Sequence, residues 1–223
     1  EPGAFIFVNA AFPILEEDQL PTPPVTIGEN YCQYPFQAKS IINISGMSFG
    51  AISAPAVRAL SLGAARAGCW LNTGEGGLSD YHREGICDII MQIGTAKYGV
   101  RNVEGDFSPT RTKEIAEFVK AFEIKLSQGA KPGKGGVLLG AKVNPEIAAI
   151  RGIPEYQDSI SPNRHYDIRN INELLDKVAY IRELTGNPVG VKTAIGGSHF
   201  MNALCEAILR RVLDYAPDFL TID

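Results

Sequence analysis

From residue 40 onward, short apolar runs alternate with amphipathic helical segments, and this alternation restricts the fold more than any other feature of the chain. Strands that follow one another through helices lie parallel, because a parallel pair needs a long crossover. The apolar runs are Ile41-Ile-Asn-Ile-Ser45, Cys69-Trp-Leu-Asn-Thr73, Asp88-Ile-Ile-Met-Gln-Ile93, a stretch around Glu123-Ile-Lys-Leu126, Val189-Gly-Val-Lys-Thr193 and residues 219–222. A closed eight-stranded barrel takes about 250 residues and two further units. The reading is therefore an α/β fold of the (β/α)8 TIM-barrel type, truncated after about six strands. An open doubly wound sheet is the structural alternative.

The helices between the strands carry their own signals. Ser53 is placed to cap one helix, with Pro55 in its first turn and Val57, Leu60 and Ala64 on one face. Thr112 is expected to cap a second, with Ile115, Phe118, Val119 and Phe122 at helical spacing. Asn170 caps a third, carrying Ile171, Leu174, Leu175, Val178 and Ile181 and ended by Gly186, and a last helix spans 201–213. Residues 1–40 are proline-rich and read as a lead-in segment in which Pro21-Thr-Pro-Pro24 is not helical. Residues 41–223 form the partial barrel. Residues 127–169 interrupt its rhythm as an insertion holding one short helix, with Asn144 as cap, Pro145 at its first position and Gly152 past its end. An insertion of this length is usually functional. Residue 1 is Glu, and residues 218–223 read as a core strand with nothing after it, so the chain is expected to be a piece of a longer protein.

Composition narrows the classes. The formal net charge is −4, which gives no basic excess to attract nucleic acid or anionic lipid. The four cysteines, Cys32, Cys69, Cys87 and Cys205, have no metal-pair spacing and read as reduced thiols packed in the interior. His82, His165 and His199 show no metal-ligand spacing, and His82, beside Arg83 and Glu84, is expected to be solvated. With no long apolar run and no signal segment, the expected location is cytoplasmic. No nucleophile elbow or Walker loop occurs.

The residues able to carry chemistry sit just past strand ends, where parallel α/β folds bind ligands. The first strand runs into Ser45-Gly-Met-Ser-Phe-Gly50, the second into Asn72-Thr-Gly-Glu-Gly-Gly77, and the fourth into Gln128-Gly-Ala-Lys-Pro-Gly-Lys-Gly-Gly136. Glycine clusters let backbone N–H groups approach a ligand, and three of them at strand ends indicate a pocket. Lys192, between apolar residues, reads either as a strand-end lysine reaching water or as a fixed charge aimed into the barrel mouth. Lys125 reads as the former. Lys131 and Arg151, in the insertion, suit a dicarboxylate or keto acid, though each fits an ordinary surface cation too.

Taken together, Met47-Ser-Phe-Gly-Ala-Ile-Ser53, Asn72–Gly77, Gln128–Gly136, Lys142-Val-Asn-Pro-Glu-Ile-Ala148, and Ile160-Ser-Pro162 with His165-Tyr-Asp167 resemble the FMN-binding central domain of the glutamate synthase family. Ser79-Asp-Tyr-His-Arg-Glu-Gly85 is most similar to its stand-alone members. The resemblance implies a (β/α)8 barrel holding FMN. It implies an oxidoreductase that reduces 2-iminoglutarate, made from 2-oxoglutarate and ammonia, to glutamate in nitrogen assimilation. Met47, Ser48 and Thr73 would touch the flavin, with Gln92 near its pyrimidine edge and Lys192 near N1 and O2. Gln128, Lys131 and Arg151 would hold the keto-acid carboxylates. Glu75 would assist proton transfer, with Lys131 beside it in the catalytic set.

The resemblance also sets expectations for what accompanies the chain. A Gly-Gly-Thr-Gly loop that cradles the FMN phosphate follows the family's next strand, beyond Asp223. The 223 residues alone are therefore expected to hold FMN weakly and to be inactive. Cysteines for an iron–sulfur cluster lie later still in the family, and no glutaminase activity is assigned. The electron donor would be reduced ferredoxin or NAD(P)H acting through another domain. Self-association into a homo-oligomer is expected from unpaired sheet edges, and the parent protein is compatible with membrane association. The alternatives are a flavin oxidoreductase acting on another keto acid or imine, and a non-catalytic fragment without flavin.

Overall fold

A computed structural model describes residues 10–20, 23–131 and 133–223. The expected course of residues 1–9 and of the first half of Pro21-Thr-Pro-Pro24 lies outside the described residues, as does Pro132 in the 128–136 loop.

The chain opens with an antiparallel hairpin, β1 (Val25–Ile27) and β2 (Phe36–Ala38). It continues through α1 (Ala54–Ala67), β3 (Leu71–Asn72), the one-turn α2 (Asp80–Arg83), β4 (Ile89–Ile93), α3 (Pro109–Ala116) and β5 (Ala121–Lys125). The insertion holds β6 (Val137–Leu138), α4 (Pro145–Arg151) and β7 (Ser159–Ile160). The βα rhythm resumes with α5 (Ile171–Thr185), β8 (Val189–Thr193), α6 (Ser198–Arg210) and β9 (Leu220–Ile222). Five strands make one parallel sheet in the order β3-β4-β5-β8-β9, curled into a half-barrel with its helices outside. This is the truncated TIM-barrel type. The antiparallel β6–β7 pair stands apart from it.

Strand alternation sorts the sheet's side chains into two faces. Ile89, Met91, Ile93, Phe122, Ile124, Val189 and Val191 point outward and pack on Leu174, Val178 and Ile181 of α5. Ile90 and Ala121 point inward and meet Phe36 and Ala38 of the hairpin, with Trp70 and Phe219 alongside. The lead-in hairpin therefore plugs the N-terminal end of the half-barrel. Phe219 fills the interior beside Gly190, where any Cβ would fall 2.3 Å from its ring. Continuing the same parity, the inner face carries Asn72, Gln92, Glu123, Lys125, Lys192 and Thr221.

Several sequence expectations are corrected. The run 41–45 is not a strand: it touches the sheet through a single bridge, Ile44 to Leu71. Ser40 Oγ bonds the backbone N–H and carbonyl of Ile42, and Asn43 Nδ2 donates to the Ser40 carbonyl, so local polar bonds bend the segment before it can pair. Thr112 is not a cap. Ser108 is, accepting from Arg111 N, with Pro109 at the first position. Phe122 belongs to β5 and is fully buried at the sheet centre, not on α3. The last helix spans Ser198–Arg210 in place of 201–213. The caps at Asn144 and Asn170, and the left-handed glycines that end α4 and α5, form as their residues predict. His82 is buried, not solvated: its Nδ1 closes a capping box with Ser79 and draws the ring inward. Cys205 is exposed on α6, while Cys69 is buried. Among the described residues, no helix is long and apolar enough to cross a membrane.

Candidate functional site

The C-terminal ends of the strands open on a cleft of about 290 Å³, lined by the 46–52 loop, Glu75, Gln92, Lys125, Gln128, Lys131, the 136–138 segment and Arg151. Larger hollows, of about 480 and 530 Å³, lie near the N-terminal ends and the outer helices. Arg182 lines the larger of these, but Asp218 and the carbonyls of Asp214 and Ala216 already bind its guanidinium. The smaller cleft is where polar side chains converge.

The parallel register builds it in layers. Gln92 stands opposite Glu123, Lys125 opposite Lys192, and Lys192 opposite Thr221. The lower layer is a buried polar knot. Glu123 Oε1 accepts from Asn72 Nδ2 at 2.9 Å and from Gln92 Nε2 at 2.6 Å, and Thr221 Oγ1 donates to its other oxygen. Asn72 Oδ1 accepts from Gly74 N, which sets the turn leaving β3. The upper layer holds the two lysines. Lys125 Nζ donates to Glu75 Oε2 and, at 2.7 Å, to Gln128 Oε1. Lys192 pairs with Asp223 across 3.2 Å, and Asp223 also accepts from Gly129 N. That backbone bond, with Lys192 beside it, holds the Asp223 carboxyl below its ordinary range.

Glycine at two positions lets the cleft loops pack closely, and at Gly74 it is required by the backbone itself. A Cβ on Gly136 would lie 2.1 Å from Glu75 Oε1, and one on Gly74, whose φ is +67°, would lie 2.6 Å from Ser48 N. Both let polar loops close on one another without side chains between them.

Arg151 is the last residue of α4, and Gly152 turns the chain away immediately after it. The guanidinium is buried. It donates to Ser159 Oγ at 3.0 Å and to the Phe49 carbonyl at 3.2 Å, lies 5.0 Å from the Tyr98 ring centre, and leaves Nε without a partner. Burial pulls its pKa down from the usual guanidinium value. No carboxylate among the described residues lies within ion-pair distance of it. Lys131 stands exposed at the mouth, also without an ion pair among the described residues.

Met47, Ser48, Gln92, Gln128, Lys131, Arg151 and Glu75 are thus brought to one cleft. Lys192 reaches the adjoining hollow under Gly46, which Glu123 and Thr221 also line. Thr73 does not line either. It is fully buried, its hydroxyl donating to the Gly74 carbonyl and accepting from Gln92 N, so it supports the wall from behind. Lys125 is a correction: it does not reach for water but is bound inside the cleft by Glu75 and Gln128. Glu123 was not signalled as a site residue. Its trace in the sequence is a carboxylate inside a strand buried on both faces.

Comparison with known proteins identifies the family. Residues 9–223 match the family model described as the conserved region in glutamate synthase. The glutamate synthase large subunit-like protein YerD of Bacillus subtilis is 43% identical over 88% of the chain and 38% of its own length. The archaeal-type glutamate synthase (NADPH) of Dehalococcoides mccartyi is 35% identical over 82% of the chain and 33% of its own length. The archaeal glutamate synthase (NADPH) of Methanocaldococcus jannaschii is 39% identical over 69% of the chain and 28% of its own length. The chain spans about a third of the length of these relatives.

Proposed function

Because the chain belongs to the glutamate synthase family, we propose that it supplies the flavin- and keto-acid-binding face of a glutamate-synthase-like oxidoreductase that reduces 2-iminoglutarate to glutamate. The observation that carries this reading is Arg151. A buried guanidinium without a carboxylate partner is costly unless an anion completes it. Its planar fork matches a carboxylate, and Lys131 at the mouth offers a second positive charge for the other end of a dicarboxylate. Because Gln128 Oε1 is taken by Lys125, its amide N–H groups remain to donate to the same ligand.

The residues present fit FMN. Two adjoining hollows, of about 290 and 160 Å³, both reach Gly46, so bare backbone and polar side chains line the space offered to a ring. Met47, Ser48 and Gln92 would hold such a ring, and Lys192 would place positive charge near it. FMN, when bound and reduced, supplies the hydride that the imine carbon receives. The chain's own residues bind and orient the keto acid through Arg151, Lys131 and Gln128. Glu75, which accepts a hydrogen bond from Lys125, is placed to exchange a proton with the substrate nitrogen. Electrons would reach the site from NADPH or reduced ferredoxin through another part of the protein, by the same route that carries any iron–sulfur cluster. A homo-oligomer is the proposed assembly.

The test uses the full-length protein. It should bind FMN, 2-oxoglutarate at millimolar concentration should perturb the flavin absorbance, and Lys131→Ala should weaken that perturbation. A colourless protein that FMN cannot reconstitute overturns the reading. Flavin absorbance that responds to a different keto acid but not to 2-oxoglutarate assigns the site to another substrate.

A further inference from the structure

Glu123 is buried at 2% exposure in the centre of β5, and no cation among the described residues lies within ion-pair distance of it. Neutral donors from three other strands satisfy it: Asn72 from β3, Gln92 from β4 and Thr221 from β9. Both amides donate to the same Glu123 oxygen, so each turns its NH2 group toward it. The orientation of the two amides is therefore set by Glu123 and not by the cleft. For Asn72 the remaining oxygen is used at once, by Gly74 N at 2.9 Å. For Gln92 the remaining oxygen accepts no hydrogen bond among the described residues, while the residue lines the cleft.

We infer that Glu123 is a positioning residue that fixes Gln92 as a hydrogen-bond acceptor on the cleft wall, so that the cleft selects a ring edge bearing an N–H. A glutamine amide is close to symmetric in shape, and without a partner it presents either end. Locked by a carboxylate, it presents one. A ring whose edge offers only acceptors, or whose N–H is blocked by a methyl group, then leaves a buried oxygen unpaired, which binding sites penalise heavily. The inference rests on the FMN reading above and identifies which edge of the ring is read.

The experiment compares FMN with 3-methyl-FMN, in which the ring N–H between the two carbonyls is methylated. Apo full-length protein is titrated with each, with quenching of flavin fluorescence as the readout. Wild type should bind 3-methyl-FMN at least about tenfold more weakly than FMN. In Glu123→Gln the neighbour can donate or accept, Gln92 is free to turn over, and the preference should fall toward unity. Gln92→Met removes the acceptor and should lose the preference equally. Glu123→Gln added to Gln92→Met should change the ratio no further. Thermal melting of each variant checks that it is folded, and Gln92→Met keeps the test open if Glu123→Gln does not fold.

Equal binding of the two flavins by wild type overturns the inference while leaving the FMN reading intact. So does wild-type preference retained in either single variant, or a further loss in the double variant. Failure of wild type to bind either flavin overturns both.

Discussion

Lys125 Nζ donates to Glu75 Oε2 across 2.9 Å, joining the end of β5 to the loop that follows β3. Both groups are largely buried, and the lysine also holds Gln128. The pair makes the acidic side of the cleft a hydrogen-bonded unit and not a free carboxylate. Replacing Lys125 by Met should therefore disorder Glu75 and Gln128 together. We expect kcat of the full-length protein to fall on the order of 10²-fold, with FMN affinity within about twofold of wild type because neither group lies in the polar knot around Glu123. Steady-state kinetics and flavin titration check both halves, and an unchanged kcat would show the pair to be structural only.

Arg151 reaches the cleft through bonds to Ser159 Oγ and the Phe49 carbonyl. Lysine keeps the charge but loses the planar fork. Arg151→Lys should raise the Kd for 2-oxoglutarate by about tenfold, read from the ligand's perturbation of the flavin spectrum. Ser159→Ala, which removes one of the bonds aiming the guanidinium, should weaken binding less. Equal affinity in Arg151→Lys would mean that the carboxylate is held elsewhere.

Acid should destabilise the fold in a defined window. Burial lowers the His82 pKa from 6.5 to about 4, and His165 shifts the same way for the same reason. Between those pH values the unfolded chain binds protons that the native state does not. Stability is thus full above about pH 6.5 and falls toward pH 4, by up to about 3 kcal/mol from His82. Asp167 acts lower. Burial alone would raise its pKa, but hydrogen bonds from Lys177 and Lys97 outweigh that and hold it at about 2, so its contribution fades only below pH 4. Urea unfolding of the full-length protein at pH 7, 5.5 and 4 measures the slope, and His82→Asn should flatten it.

Phe122 is fully buried between the sheet and α5. Phe122→Ala should cost about 3–5 kcal/mol, against a change within about 0.5 kcal/mol for truncating the exposed Phe118 four residues earlier. Denaturant unfolding of both variants decides whether Phe122 is a sheet residue in solution.

What the amino-acid order determined by itself was a large part of what short-range chemistry specifies. Asn144, Asn170 and the glycines after α4 and α5 set helix ends through bonds within a few residues, and the apolar runs of β4 and β8 follow from composition alone. The strand-end loops were legible too, because glycine clusters beside Glu75, Gln128 and Ser48 are unusual locally. Where two short-range signals competed, the periodicity misled: Phe122 continues a helical spacing yet lies in a strand, because Pro188 O takes its backbone N–H within the sheet. The polar knot belonged to the tertiary structure alone. Asn72, Gln92, Glu123 and Thr221 come from four strands spread over some 150 residues, and nothing near any one of them in sequence says that it faces the others. Only the register of the curled sheet puts Gln92 opposite Glu123 and Lys125 opposite Lys192. The same holds for Lys125, whose ammonium is drawn inward by Glu75, a residue 50 positions away. Burial and pairing depend on which groups meet, and long-range packing decides that.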